Sequence, residues 1–136
     1  MSYWLVKSDP KSYAWDNLVK EKKTPWDGVR NYQARNNLKE MKKGDLVLFY
    51  HSVQATEVVG IAKVTKEYFQ DPTTEDDRWV AVELEAMSSL DNVVTLSEIK
   101  DNANLKDITL IKQSRLSVMP LSKKEYDIIL DMSKRS

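Results

Sequence analysis

Apolar residues along the chain alternate between two spacings, and each change of spacing marks an element. Tyr3, Trp4, Leu5 and Val6 form a short run of high β-propensity, predicting a strand over residues 2–7 that Asp9-Pro10 ends in a turn. Trp15, Leu18 and Val19 then fall at the i, i+3, i+4 spacing of a buried helical face. They predict a helix over residues 13–21, capped by Ser12, with Trp15 in the core. Leu38 and Met41 repeat that spacing in a second helix, opening at Tyr32 with Asn31 as N-cap and stopping at Gly44 behind Lys42 and Lys43. Residues 45–51 and 57–68 read as strands joined by a loop at Gln54-Ala55-Thr56, and Gly60 marks a bulge or bend in the second. Pro72 and four acids predict an exposed loop over residues 70–77.

Further on, Trp79, Val80, Val82 and Leu84 predict a half-buried strand over residues 78–87, and Val93-Val94 a short one. Thr95 with Glu98, and Ser122 with Glu125, are capping boxes that open two more helices. In the last helix Tyr126, Ile129 and Leu130 face the core, and residues 134–136 are expected to fray. Residues 108–111 and 115–119 read as strand segments separated by Lys112-Gln113-Ser114. Five or six strands with short flanking helices give an α+β domain, a small curled sheet with helices on its rim. The 136 residues form one domain over 1–136, with enough core to fold alone. No internal repeat or low-complexity segment interrupts it.

Composition narrows the chemistry. With no cysteine, disulfides and thiolate metal sites are excluded, and a reducing, cytoplasmic setting is expected. No apolar run of about 18 residues predicts a membrane span, and the first residues enter a strand without a signal-peptide pattern. Lys and Arg number 21 against 21 Asp and Glu, which argues against a uniformly basic nucleic-acid binder. The distribution is uneven, however: residues 1–66 carry net +5, residues 67–110 net −8 and residues 111–136 net +3. A molecule with one basic and one acidic side can hold a polyanion on one face only.

Catalysis finds few parts. His51 is the only histidine and ends an apolar strand beside Ser52, where a structural or pocket hydrogen-bonding role is favoured over a general base. The three glycines lie far apart, so no phosphate-cradling loop exists, and the acids at 75–77 read as solvated charge. No catalytic residue, no metal ligand and no cofactor is expected.

Residues 24–37 are dense in recognition groups instead. Trp26 precedes the turn pair Asp27-Gly28, which predicts a loop indole at a pocket rim. Arg30 and Arg35 offer planar cations, and Asn31, Gln33, Asn36 and Asn37 offer amides. The run Trp26-Asp27-Gly28-Val29-Arg30-Asn31-Tyr32-Gln33-Ala34-Arg35-Asn36 resembles the signature of the EVE domain, a PUA-like module related in shape to the YTH readers of methylated adenine. Tyr3-Trp4-Leu5-Val6-Lys7-Ser8-Asp9-Pro10, Leu48-Phe49-Tyr50-His51-Ser52 and Gln113-Ser114-Arg115-Leu116-Ser117-Val118-Met119-Pro120 match further blocks in the family's order. Asp9 departs from the family's more frequent Glu but keeps the charge. The resemblance implies a closed, mixed PUA-like pseudo-barrel and a binder of modified nucleobases without catalytic activity.

On that reading Trp26 stacks on a base, for about 1–3 kcal/mol and with no preference among bases. Ser8, Asn31, Tyr50, His51 and Ser52 are the candidates for reading the base edge, because a mismatched group in a buried pocket costs about 1–3 kcal/mol. Lys7, Arg30, Arg35 and Arg115 are the candidate phosphate or backbone contacts, which carry no sequence information. Duller roles compete: Tyr50 as packing, Arg115 as a partner of Asp107, Ser114 and Ser117 as turn caps. The expected partner is a nucleic acid carrying a modified base, bound by a monomer with no membrane contact. A sensor of a free modified nucleoside or nucleotide is the alternative; salt dependence separates the two.

Overall fold

The structure is a computed structural model that describes residues 1–53 and 55–134; Gln54, in the predicted loop, and Arg135 and Ser136, in the predicted frayed end, lie outside the described residues. In chain order the elements are β1 (Tyr3–Ser8), α1 (Trp15–Glu21), β2 (Lys23–Trp26), α2 (Tyr32–Glu40), β3 (Leu46–His51) and β4 (Glu57–Gln70). Then come β5 (Val80–Thr95), α3 (Leu96–Asp101), a 3-10 turn (Ala103–Leu105), α4 (Thr109–Lys112), β6 (Val118–Leu121) and α5 (Lys123–Ser133). The strands form one six-stranded sheet in the order β2-β5-β4-β3-β1-β6. Among the described residues only β1 and β3 run parallel, the long crossover through α1, β2 and α2 making that pairing feasible.

A ring contact shows how far this sheet curls. Trp26 on β2 meets Phe49 on β3 edge to face at 5.4 Å, although β5 and β4 lie between those strands. At about 4.8 Å per strand, a flat sheet would hold them roughly 14 Å apart. The α+β class and the mixed pseudo-barrel are therefore realised, but the barrel is not closed as the resemblance implies: the sheet stays open between its edge strands β2 and β6. Helix α2 packs against both β5 and β6. Asn37 Nδ2 donates to the Val118 carbonyl at 2.7 Å on one side, and Arg35 Nη1 to the Arg78 carbonyl at 3.2 Å on the other.

Inside the curl, Leu5, Leu18, Leu38, Phe49, Leu84, Met119 and Ile129 are fully buried. Trp15 belongs to this core as expected, its ring edge on Phe49 at 5.3 Å and its Nε1 donating to Ser89 Oγ at 2.8 Å. Gly60 lies beneath that indole, where any Cβ would collide with the ring. The pairing of β3 with β4 and of β4 with β5 both shift register around it. The bulge thus has a tenant.

Several boundaries differ from the sequence reading. Residues 108–111 belong to a helical turn, with the Lys112 N–H on the Ile108 carbonyl, because burial of Ile108 and Leu110 outweighs the β-propensity of the run. Strand β6 starts only at Val118, after a turn closed by the Leu116 N–H on Gln113. The predicted strands over 78–87 and 93–94 are one strand, β5. Helix α2 ends at Glu40, and Gly44, at φ 94°, serves the turn into β3 instead. Helix α1 is entered from Ala14, not capped by Ser12. Among the described residues no helix is long and apolar enough to cross a membrane.

Candidate functional site

The sharpest departure from expectation lies in the acidic loop. Asp71 is fully buried, not solvated. Its Oδ2 accepts the Gly28 N–H at 2.8 Å and Arg30 Nη1 at 2.9 Å, while Oδ1 accepts the Thr73 N–H at 2.7 Å and hydroxyl at 2.5 Å. Burial opposes the charge, but these donors outweigh it and hold the carboxyl down at about 2. Gly28, at φ 77°, makes the turn that aims its N–H at the carboxylate. Arg30 also reaches Thr73 Oγ1 at 3.1 Å and lies over the Trp79 ring at 5.5 Å. The segment joining β2 to α2 is thereby clipped to the loop after β4. At its end Asn31 caps α2 as predicted, accepting the Ala34 N–H at 2.9 Å.

This clipped segment forms one wall of a cavity of about 500 Å³, a volume usual for small-ligand sites. Facing walls come from the end of β1, the turn before α1, β2, and Ser117 just ahead of β6. Of the residues singled out in the sequence, Ser8, Trp26, Asn31, Lys7 and Arg30 line it together. Trp26 is not the loop aromatic expected. It ends β2 and is only 9% exposed, wedged edge to face between Phe49 at 5.4 Å and Tyr13 at 6.2 Å. Its Nε1 has no acceptor within the described protein.

Tyr50, His51 and Ser52 do not line the cavity. They brace it. His51 Nε2 accepts the Trp15 N–H at 3.0 Å, fixing the start of α1. Burial pushes the His51 pKa down against the pull of Glu57 and Asp16, which keeps the imidazole a neutral acceptor. Tyr50 is buried beneath the Lys7 ammonium, 5.8 Å from its ring centroid, and the Ser52 N–H donates to the Ser8 carbonyl at 2.9 Å. Arg35 also lies outside the cavity, its guanidinium on Asn36 Oδ1 and the Arg78 carbonyl and 5.0 Å from the Tyr32 ring centroid. Arg115 is exposed in a neighbouring groove, and Asp107 pairs with Lys112 at 3.3 Å instead.

Tyr13 and Asp27 escaped the sequence reading. Tyr13, assigned there to a helix, closes the aromatic wall, and its hydroxyl donates to Glu21 at 2.6 Å. Burial and Glu21 push its pKa up to about 12. Asp27 offers a carboxylate to the cavity, its pKa raised by burial and by the nearby charge of Asp71. Lys7 brings an ammonium whose pKa burial lowers, anchored on the Ser114 carbonyl at 2.7 Å. Pairing tight packing around Trp26 with polar groups from five segments suits a planar ligand that carries donors and acceptors at its edge. Among the described residues no three His, Cys, Asp or Glu side chains gather as a metal site.

Comparison with known proteins agrees with the motifs. The family model of the EVE domain matches residues 2–132. A solved protein from Agrobacterium tumefaciens is 39% identical, covers 98% of this chain and 94% of its own, and superposes with a TM-score of 0.95. Human THYN1, solved in complex with 5-methylcytosine containing DNA, is 30% identical over 100% of this chain and 99% of its own, at a TM-score of 0.92. The YTH domain of a Zygosaccharomyces rouxii protein, at 15% identity and a TM-score of 0.64 over 98% of this chain and 87% of its own, shares the fold.

Proposed function

Because the chain belongs to the EVE domain family, we propose that it is a non-catalytic reader that captures one modified nucleobase of a DNA or RNA strand in the cavity floored by Trp26. The observation that carries this reading is the cavity itself, which gathers residues from three separated motif blocks and is braced by the fourth. The 5-methylcytosine DNA bound by human THYN1 supports it. Trp26 and Tyr13 supply the apolar contact for a flipped or single-stranded base, whose extraction costs a few kcal/mol at most. Ser8, Asn31 and Asp27 meet the base edge. A carboxylate there accepts from an exocyclic amino group, as acids do from cytosine. A methyl group buried against the aromatic wall adds only about 0.8 kcal/mol, so discrimination rests on shape together with these polar contacts.

The cations divide differently from the sequence reading. Arg30 holds the cavity wall through Asp71, while Lys7 at the rim and Arg115 beside it are the cations we assign to backbone contact. Tyr50, His51 and Ser52 act from behind the wall. The test is a titration of matched oligonucleotides, with and without 5-methylcytosine, against the wild type, Trp26→Phe and Asp27→Asn. Preference for the methylated strand that falls in both variants is expected. Equal affinity for the methylated and plain strands across a panel of base modifications would overturn the reading.

A further inference from the structure

A second groove, of about 340 Å³, adjoins the base cavity and is lined by Asn31, Gln33, Gln113, Ser114, Arg115 and Leu116. Asn31 is common to both, so the two spaces are separated by little more than one side chain. The far wall of the groove is built rather than loose. Leu116 is buried, its N–H closes a turn on the Gln113 carbonyl at 3.0 Å, and Lys7 ties the strip down twice. Lys7 Nζ donates to Ser114 O at 2.7 Å and its backbone N–H to Ser117 O at 2.9 Å. Against this fixed backbone the side chains of Gln33, Gln113 and Arg115 are exposed and, among the described residues, unpartnered.

That freedom sets Arg115 apart from the other arginines among the described residues. Arg30 is held by Asp71, Arg78 by Asp76 and Arg35 by Asn36. A free guanidinium fork sharing a groove with the primary amides of Gln33 and Gln113, with no carboxylate among the residues that line it, suits the planar geometry of a phosphodiester. Building on the base-reader proposal, we infer that this groove is a phosphodiester subsite, taking the phosphate and sugar next to the captured nucleoside. Arg115 is its anion contact and Gln33 and Gln113 its hydrogen-bonding flanks. The ligand is then a strand, and a free nucleoside fills only half of the site.

Calorimetric titration decides this with defined probes: 5-methyl-2′-deoxycytidine, its 3′- and 5′-monophosphates, and single-stranded trinucleotides with a central methylated or plain cytosine. One monophosphate is expected to bind about tenfold tighter than the nucleoside, as a charge-assisted contact provides. Arg115→Ala should abolish that gain, leave nucleoside affinity and thermal unfolding unchanged, and lower the salt slope of trinucleotide binding by about 0.7. An unchanged salt slope overturns the subsite, as does an equal loss for nucleoside and nucleotide, or no trinucleotide binding at low salt. If the Arg115-dependent gain holds while methylated and plain cytosine bind alike, the subsite stands and modified-base reading falls. Preference for the methylated base with no effect of Arg115→Ala overturns the subsite and leaves base reading in place.

Discussion

Two buried carboxylates, Asp45 and Asp71, solve one problem in different ways. Asp45, just ahead of β3, accepts the Trp4 indole N–H and the backbone N–H groups of Ser2 and Lys42, each at 3.0 Å. All three donors are neutral, and none belongs to the cavity. Asp71 accepts instead from Gly28 and Arg30, which are cavity wall, and from Thr73. Both arrangements satisfy a charge that burial would otherwise penalise. The first fastens the fold; the second ties the shape of the cavity to one ionised group.

Breaking the pair member by member tests that contrast. Asp45→Ala strands three donors at once and is expected to cost about 3–5 kcal/mol in urea unfolding, with the folded fraction binding as before. Asp71→Ala should cost less, about 2–4 kcal/mol, because the half-exposed Arg30 can turn to water. Affinity for a methylated oligonucleotide should nevertheless drop tenfold or more as the wall loosens. Equal affinity in the folded Asp71 variant would erase the distinction between the two carboxylates.

Acid gives a milder version of the same break. The Asp71 carboxyl is depressed from 3.8 to about 2, so its ionised form stabilises the native state. That contribution, about 2 kcal/mol, is whole above pH 4 and disappears as pH falls towards 2. Unfolding curves of wild type and Asp71→Asn should therefore converge across that window; parallel curves would show that the charge contributes nothing. The smallest effect belongs to Arg35→Ala, whose guanidinium serves neither carboxylate nor cavity. Its stability should change by about 0.5 kcal/mol or less, and nucleic-acid titration should show wild-type affinity.

Why Asp71 went unread is physical. Pro72 and the cluster of acids describe a solvated loop, and for Asp76, paired with the exposed Arg78, that description holds. Nothing local to Asp71 reveals that Arg30 and Gly28, more than forty positions earlier, bring donors to it. Capping boxes at Thr95 and Ser122 and the cap at Asn31 were legible because their hydrogen bonds close within three residues. Core positions such as Trp15 were legible through helical spacing. Trp26 was misplaced because Asp27-Gly28 announces a turn without saying which side of it the indole occupies, and only the pairing with β5 puts it in a strand. Tyr13 carries no periodic signal, since its place on the cavity wall depends on the curl of the sheet.

That curl brings β2 and β6 round without pairing them to each other, and the cavity lies towards this open side, with β2 on one wall and β1 and Ser117 on the other. Its span is therefore not set by a ladder of main-chain hydrogen bonds. It is set by α2, which packs on β5 at one side and on β6 at the other, where Asn37 ties it down. Mechanically this is a joint of packed side chains, and a shift of α2 would break no strand pairing. The sheet supplies the chassis, and the helix the brace across its open side.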